Sequence, residues 1–230
     1  MEHEHERRRM VERTVASRGV TDARVLDAMR TVPREVFVPA KLREEAYADA
    51  ALPIEGGQTI SQPYVVAWMA SALELGPEDR VLEVGAGSGY AAAVLSRIAG
   101  EVFAVERDGD LAGLAKERLR SLGYDNAAVR HGDGLEGWPE EAPFDAVAVA
   151  AGGKEVAASL VEQLAPGGRL LMPVGAGGSG GQRLVRVRKR SDGTVGEPER
   201  LGLVRFVPLV PGSVGGGEGV RAAEKGGTGS

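Results

Sequence analysis

The 230-residue chain is 43% hydrophobic and 27% charged, which is ordinary for a globular protein and sufficient for an α/β domain with a real core. Its formal net charge of -5 argues against sequence-independent nucleic-acid binding, since that binding relies on a basic surface. The chain contains no cysteine, which excludes disulfides, thiolate metal sites and cysteine nucleophiles.

The two ends of the chain carry little core-forming sequence. The first ten residues, MEHEHERRRM, lack the apolar stretch of a signal peptide, and no later segment is apolar enough to span a membrane. We therefore expect a cytoplasmic protein, which we take to be a monomer, without nucleic-acid or membrane partners. The last twenty residues contain eight glycines, so residues 211–230 are predicted to be a disordered tail.

The N-terminal third is predicted to be mainly helical. Residues 6–30 show helical periodicity that is interrupted near Gly19, and Thr21 and Asp22 are plausible N-caps for the second piece. Two prolines then bracket a short turn-like unit, TVPREVFVP. A further helix is predicted to begin near Pro63 and to stop at Gly76. Residues 6–78 are therefore expected to form an N-terminal helical cap.

The middle of the chain alternates short β-branched runs with helical stretches. Near-continuous apolar strands between helices predict a parallel sheet that is covered on both faces. Two more runs flank a turn-prone SDG at 191–193 and are predicted to be antiparallel edge strands within residues 176–210. The basic run RVRKR in this part reads as alternating charge on a half-exposed strand. The predicted strands are RVLEV (80–84), EVFAVE (101–106), AAVRHG (127–132), FDAVAVAA (144–151), RLLMPVG (169–175), QRLVRVRKR (182–190) and GLVRFVPLV (202–210).

These elements together predict the fold class. We expect an α/β fold, a Rossmann-like doubly wound, mostly parallel seven-stranded sheet with antiparallel edge strands and an N-terminal helical cap. Residues 1–210 are expected to form a single domain, in which residues 79–175 are the ligand-binding core.

A glycine-rich loop, EVGAGSGY, follows the first predicted strand and precedes a helix. Glycines at this point permit a tight turn and allow a ligand to approach the backbone. The spacing of Gly85, Gly87 and Gly89 is G-x-G-x-G, unlike the G-x-G-x-x-G of dinucleotide-binding proteins, and the chain has no phosphate-binding P-loop. By itself this loop is weak evidence, because glycines after a strand are often only turn residues.

Acidic residues end the next two strands. Glu106 lies 21 residues after Gly85, where a carboxylate can accept hydrogen bonds from two ribose hydroxyls. Asp133, in the GDG of residues 132–134, could accept from an exocyclic amine. Glu106 could instead be a solvated strand end. Taken jointly, the three strand ends predict a nucleoside ligand without a pyrophosphate, such as S-adenosylmethionine, bound by Glu83, Gly85, Gly87, Gly89, Glu106, Asp133 and Gly134.

A second unusual stretch is GGQTISQPYVV, at residues 56–66. Ser61 and Gln62 lie where helix N-caps belong, and Pro63 suits a first helical turn. On pattern alone, capping of the helix is the simpler interpretation, and contact with a ligand is the alternative.

The chain resembles the class I methyltransferases in its acidic-x-G-x-G-x-G loop and in the acids after its second and third strands. Within that class it resembles the protein L-isoaspartate O-methyltransferase family, over about residues 10–210. The segment GQTISQP is much more specific than the ligand loop. The stretches that carry the resemblance are MVERTVASRGV, VPREVFVP, YADAALPI, GGQTISQPYVVAWM, LEVGAGSGY, GDGLEGWPEEAPFDAVAV, LAPGGRLLMPVG and VRFVPL.

The resemblance implies an enzyme that methylates the α-carboxylate of L-isoaspartyl residues in damaged proteins and peptides, using S-adenosylmethionine as the methyl donor. It implies that Gln58, Thr59 and Ile60 contact the substrate and that Ser61 is the active-site serine. A carboxylate has a pKa near ~4 and is already ionised at neutral pH, so the reaction needs alignment and hydrogen-bond donors and no strong base. The single domain is then a methyltransferase domain whose cap carries the substrate loop.

Some features depart from the family. Glu55 stands where the family usually has glycine, which adds a charge beside the substrate groove. AAGGKEV (150–156) lacks the usual proline, and the glycine-rich stretch at 175–181 could be a linker or a lid. These departures leave open a dedicated enzyme that methylates one aspartate of a partner peptide to form an aspartimide.

Other functions have less support. A non-catalytic nucleoside-binding module is a second alternative, although the intact segment at residues 58–61 disfavours it. The histidines (His3, His5 and His131) show no metal-ligand spacing, so no metal site is predicted. A serine hydrolase is disfavoured because the chain has no G-x-S-x-G elbow.

Overall fold

The computed structural model describes residues 2–175 and 181–212. The predicted disordered tail therefore lies outside the described residues, except for Pro211 and Gly212. Most of the predicted glycine-rich loop, residues 176–180, also lies outside them. Within the described ranges, no helix is long and apolar enough to cross a membrane.

The N-terminal residues form the predicted helical cap. Its first helical stretch ends at Gly19, which has a φ of 93° that a residue with a side chain rarely adopts. The next helix starts at Asp22, whose carboxylate accepts a hydrogen bond from the Arg24 amide at 2.9 Å. Both predicted boundaries are confirmed. The segments are α1 (Glu2–Met10), a π-helical turn (Val11–Val15), two 3-10 turns (Ala16–Arg18 and Arg34–Val36), α2 (Ala23–Thr31) and a longer 3-10 segment (Ala40–Glu45).

A small hairpin connects this cap to the next helix. Strand β1 (Leu52–Pro53) pairs antiparallel with β2 (Thr59–Ile60), and a 3-10 turn (Glu55–Gly57) joins them. The turn uses two glycines with positive φ, Gly56 at 64° and Gly57 at 67°. Helix α3 (Pro63–Ala72) follows directly, with proline in its first turn as predicted.

The seven-stranded sheet is confirmed. Its order is β5-β4-β3-β6-β7-β8-β9, in which the first five of these strands are parallel and β8 and β9 are antiparallel at one edge. The strands are β3 (Arg80–Val84), β4 (Glu101–Glu106), β5 (Ala127–His131), β6 (Phe144–Val149), β7 (Leu164–Val174), β8 (Gln182–Arg188) and β9 (Glu199–Val204). The helices between them are α4 (Tyr90–Ser96), α5 (Gly109–Ser121) and α6 (Ala158–Glu162).

Both faces of the sheet are covered, as the apolar strand sequences predict. Successive residues of β3 belong to different hydrophobic clusters. Val81 packs with the cap, α3, α4 and α5, whereas Leu82 and Val84 pack with α6 on the other face. This alternation places Glu83 on the same face as Val81, in the larger cluster.

The last strand differs from its prediction. Instead of continuing to residue 210, it ends at Val204, and residues 205–210 leave the sheet. Pro208 has no amide hydrogen to donate to a ladder. The Gln182 side chain also forms two hydrogen bonds with the backbone of Phe206. It accepts from the Phe206 amide at 2.7 Å and donates to the Phe206 carbonyl at 3.2 Å. The released segment instead forms a parallel bridge between Pro208 and Gly152.

Candidate active site

A cavity of about 280 Å³ lies at the carboxyl ends of β3 and β4, beside the β1–β2 hairpin. The strands are parallel, so their carboxyl ends meet at one edge of the sheet, where open α/β sheets bind ligands. The cavity wall combines residues from seven parts of the chain. These are residues 57–61 in and just after the hairpin, 66 on α3, 83–88 with 90 and 91 at the end of β3 and beyond it, 105–107 at the end of β4, 134 after β5, 150 and 151 after β6, and 207–210 of the C-terminal segment.

The glycine-rich loop turns sharply out of β3 over the end of β4. The Gly85 amide donates to the Val105 carbonyl at 2.8 Å, and Gly85 and Gly87 have φ values of 93° and 53°. Gly89 has a different role, because it does not line the cavity. A Cβ on Gly89 would lie 3.3 Å from the Cβ of Ala115, so this glycine allows α4 and α5 to pack closely.

Glu106 is 5% exposed, so it is not a solvated strand end. One carboxylate oxygen accepts from the Gly87 amide at 2.8 Å, and the other accepts from the Asp108 amide at 3.0 Å. The carboxylate therefore joins the glycine-rich loop to the start of α5. It also lines the cavity, where its remaining lone pairs can accept from hydroxyls of a ligand.

Glu83 is 2% exposed and also lines the cavity. Its Oε2 atom is buried without a hydrogen-bond partner among the described residues. Burial, and secondarily the negative charge of Glu106, raises the pKa of Glu83 to about 8. A buried acceptor beside a second carboxylate is a site for a cation, and it would repel a pyrophosphate.

The residues that follow β5, Asp133 and Gly134, are placed differently with respect to the cavity. Gly134 lines the cavity, but Asp133 does not. The two Asp133 oxygens accept from the backbone amides of Leu135, at 2.8 Å, and Gly212, at 2.6 Å. In this arrangement Asp133 holds the C-terminal segment beside the cavity. The remaining lone pairs of this carboxylate can still accept from a ligand amine.

The hairpin brings residues 58–61 to the cavity wall, where all four of the predicted substrate residues, Gln58, Thr59, Ile60 and Ser61, lie together. The N-cap of α3 is Gln62, and its side chain makes no hydrogen bond to the first turn. That side chain donates instead to the Asp49 carbonyl at 3.3 Å. Ser61 lies one residue before the cap and lines the cavity, so the ligand-contact interpretation of this stretch is favoured over capping.

Residues 207–210, which were predicted to belong to a strand, form one wall of the cavity. Two backbone hydrogen bonds of 2.8 Å hold this segment to Gly152. The Leu209 amide donates to the Gly152 carbonyl, and the Gly152 amide donates to the Val207 carbonyl. Arg107 and Tyr90 also line the cavity and were not predicted. Pro208 was a weak signal, because a proline cannot donate to a ladder but is tolerated in an edge strand.

The residues present fit S-adenosylmethionine. The two carboxylates of Glu83 and Glu106 match a ligand that carries a sulfonium, an ammonium and ribose hydroxyls. The positive-φ glycines leave room beside the backbone for such a ligand, because they carry no side chain.

Comparison with known proteins gives a consistent result. The sequence model described as protein-L-isoaspartate(D-aspartate) O-methyltransferase matches residues 5–214. Protein-L-isoaspartate O-methyltransferase 2 of Pelobacter propionicus is 56% identical over 207 residues, covering 90% of this chain and 91% of the relative. Protein-L-isoaspartate O-methyltransferase 1 of Rhodopseudomonas palustris is 57% identical over 205 residues, covering 89% of this chain and 83% of the relative.

A solved structure extends the similarity to three dimensions. The crystal structure of a Plasmodium falciparum protein-L-isoaspartate O-methyltransferase in complex with S-adenosyl-L-homocysteine has a TM-score of 0.76 and is 28% identical. The alignment covers 89% of this chain and 98% of that one. The chain belongs to the protein-L-isoaspartate (D-aspartate) O-methyltransferase family.

Proposed function

We propose that the protein transfers a methyl group from S-adenosylmethionine to the α-carboxylate of L-isoaspartyl residues in damaged proteins and peptides. The observation that carries the proposal is the position of Ser61 and its hairpin on the wall of the same cavity that Glu83 and Glu106 line. A carboxylate held by the hairpin would thus lie beside a methyl donor held by the glycine-rich loop.

The chemistry requires little from the protein beyond position. S-adenosylmethionine supplies an electrophilic methyl group, whose carbon–sulfur bond breaks as the new oxygen–carbon bond forms and whose electron pair stays on sulfur. The substrate carboxylate is already ionised, so the chain need not remove a proton. We assign to Ser61, Gln58, Thr59 and Ile60 the tasks of holding that carboxylate in line and excluding water.

The ester product explains how methylation leads to repair. A methyl ester has a better leaving group than a carboxylate, so a neighbouring backbone nitrogen can displace methanol and close a succinimide. Hydrolysis of the succinimide returns some normal aspartate. The two alternatives, a dedicated aspartimide-forming enzyme and a non-catalytic module, are not favoured, since the relatives are named for isoaspartate methylation.

A pair of peptides tests the proposal directly. The two peptides are identical except for one linkage, isoaspartyl or normal aspartyl, and methyl transfer from labelled S-adenosylmethionine is measured for each. We expect transfer to the isoaspartyl peptide alone, with succinimide appearing later by mass spectrometry. Transfer only to the aspartyl peptide would support the dedicated enzyme, and binding without transfer to either would contradict the repair function.

Replacing Ser61 with alanine is expected to lower kcat for the isoaspartyl peptide about 10- to 100-fold. A hydrogen bond to a charged group is worth about 1.5–3 kcal/mol, and here it would act on the reacting carboxylate. Ser71→Ala is the matched control, because Ser71 lies on α3 but does not line the cavity. An equal loss in both variants would show that Ser61 acts only through the stability of the helix.

We further propose that the enzyme acts as a monomer in the cytoplasm, on isoaspartyl proteins and peptides and without nucleic-acid or membrane partners. The negative net charge and the lack of cysteine support this. The proposed extent of the methyltransferase domain remains residues 1–210. Sedimentation at several concentrations would test the monomer, and a constant molecular mass near that of one chain is expected.

A further inference from the structure

An ion pair joins the β1–β2 hairpin to α5, the helix that follows Glu106. Glu55, in the turn between β1 and β2, accepts from Nη2 of Arg118 at 3.0 Å. Arg118 lies on α5, which begins three residues after Glu106. Its side chain is only 16% exposed, compared with 37% for Glu55. The charge that Glu55 adds to this turn therefore faces α5, and Glu55 does not line the cavity.

The same guanidinium also reaches the glycine-rich loop. Nη1 of Arg118 lies 3.5 Å from the Ser88 carbonyl oxygen, at the long limit of a hydrogen bond. Arg118 thus contacts two segments that both contribute to the cavity wall: the hairpin that leads to Ser61, and the loop that contains Gly87. A side chain that touches both can transmit the position of one to the other.

The hairpin turn is packed against the start of α5 at a second point. A Cβ on Gly56 would lie 3.0 Å from Oδ2 of Asp108 and 3.1 Å from Cδ1 of Leu111, so the backbone at Gly56 rests directly on this helix. The Asp108 amide is held by Glu106 at 3.0 Å. The hairpin therefore rests on the same turn that Glu106 organises.

We propose that Arg118 and Glu55 are positioning residues, which hold the hairpin over the cofactor so that residues 58–61 meet the methyl group. The inference rests on the proposed function for the identity of the reaction. Neither residue lines the cavity, so both act from outside the reacting groups. Their effect is on the alignment of the hairpin, and a displacement of about 1 Å at a reacting centre can cost about 100-fold in rate.

A neighbouring pair on the same helix provides the matched control. Arg120 and Glu117 form an ion pair at 2.8 Å, with side chains 72% and 62% exposed. Such an exposed pair within one helix contributes little to stability, and in the described part of the chain these two side chains bond only to each other. Removing it tests whether any loss of charge on α5 disturbs the enzyme.

The kinetic experiment uses Arg118→Ala, Arg118→Lys, Glu55→Gln and the double variant Arg118→Ala/Glu55→Gln, with Arg120→Ala as control. We expect Arg118→Ala to lower kcat for the isoaspartyl peptide about 10-fold, while KM for S-adenosylmethionine changes less than about 3-fold. Arg118→Lys should restore most of the rate. The double variant should be no slower than Arg118→Ala alone, since both changes remove one interaction.

Three kinetic results would overturn the inference. One is a kcat for Arg118→Ala within about 2-fold of wild type. Another is additive losses in the double variant, which would mean that the two residues act separately. A third is an equal loss in Arg120→Ala, which would indicate a general effect of charge on the helix.

A second measurement does not require turnover. Hydrogen exchange is measured for the amides of residues 54–60 with and without S-adenosylhomocysteine. The Ile54 amide donates to Gln58 at 2.9 Å within this hairpin, so its exchange reports opening of the turn. We expect the ligand to slow exchange about 10-fold in wild type, and we expect Arg118→Ala to lose this protection while Arg120→Ala keeps it. Equal protection in Arg118→Ala and wild type would overturn the inference.

The two experiments separate failure of the inference from failure of the proposed function. If wild-type protein methylates no isoaspartyl peptide, the proposed function fails. Hydrogen exchange then decides the inference alone, because faster exchange of residues 54–60 in Arg118→Ala than in Arg120→Ala supports the role of the pair in holding the hairpin. Unchanged exchange in both variants would contradict that role.

Discussion

Replacing Glu83 with glutamine is expected to stabilise the ligand-free protein at pH 8.5 and to weaken the binding of S-adenosylmethionine. Burial raises the pKa of Glu83 from the ordinary 4.5 to about 8, so at pH 8.5 the folded protein holds a buried charge that the unfolded chain exposes to water, and glutamine removes that cost. A tenfold change in proton affinity is worth about 1.4 kcal/mol, so the upper bound of the gain is about 5 kcal/mol. The unpaired amide of a buried glutamine would make the observed gain smaller.

The sign of the pH dependence follows from proton counting. Between pH 4.5 and about 8, the unfolded state binds fewer protons at this residue than the folded state does. Stability from this group is therefore fully present below pH 4.5 and is lost as the pH rises toward 8. Thermal unfolding from pH 5 to 9 should show the difference between Glu83→Gln and wild type widening up to about pH 8 and then levelling off.

Cofactor binding should change in the opposite direction. A cationic ligand beside Glu83 favours the ionised carboxylate, so binding to wild type should release a proton below about pH 8 and strengthen as the pH rises from 6 to 7.5. In Glu83→Gln this slope should disappear and affinity should fall at least about 10-fold. Glu78→Gln is the control, since Glu78 is exposed just before the other end of β3. Unchanged affinity in Glu83→Gln would exclude contact between Glu83 and the cation.

Replacing Glu106 with alanine is expected to weaken cofactor binding about 100- to 10,000-fold. Two ribose hydroxyls donating to a carboxylate would contribute about 1.5–3 kcal/mol each. The substitution also leaves the amides of Gly87 and Asp108 without their acceptor, so the glycine-rich loop should loosen before any ligand arrives. Isothermal titration with S-adenosylhomocysteine measures the loss.

Two further variants identify the cause of that loss. Glu106→Gln keeps one acceptor oxygen and should give an intermediate affinity. Glu101→Ala, at the exposed amino end of the same strand, should bind as wild type does. Because Glu106 contributes to the raised pKa of Glu83, Glu106→Ala should also reduce the pH dependence of stability. Wild-type affinity in Glu106→Ala would contradict a ribose contact.

The sheet was predictable because the residues within each strand are enough to identify it. Runs such as VFAVE are apolar at almost every position, which is typical of parallel strands covered on both faces, and the structure confirms them. The glycine-rich loop was predictable for the same reason, because its glycines stand directly between a predicted strand and a predicted helix. The end of β9 was not predictable in this way. The side chain of Gln182, on β8, forms hydrogen bonds with the backbone of Phe206, where the strand would have continued.

The order of elements, the acidic ends of the strands and the unusual stretch at residues 58–61 are all visible in the amino-acid sequence. How these groups are used depends on contacts between distant segments. Glu55 and Arg118 are 63 residues apart in the chain, so no local pattern pairs them. The pKa of Glu83 depends on burial among distant residues and on Glu106 across the strand pair. Propensity and spacing act over a few residues, whereas desolvation and ion pairing depend on which segments the fold brings together.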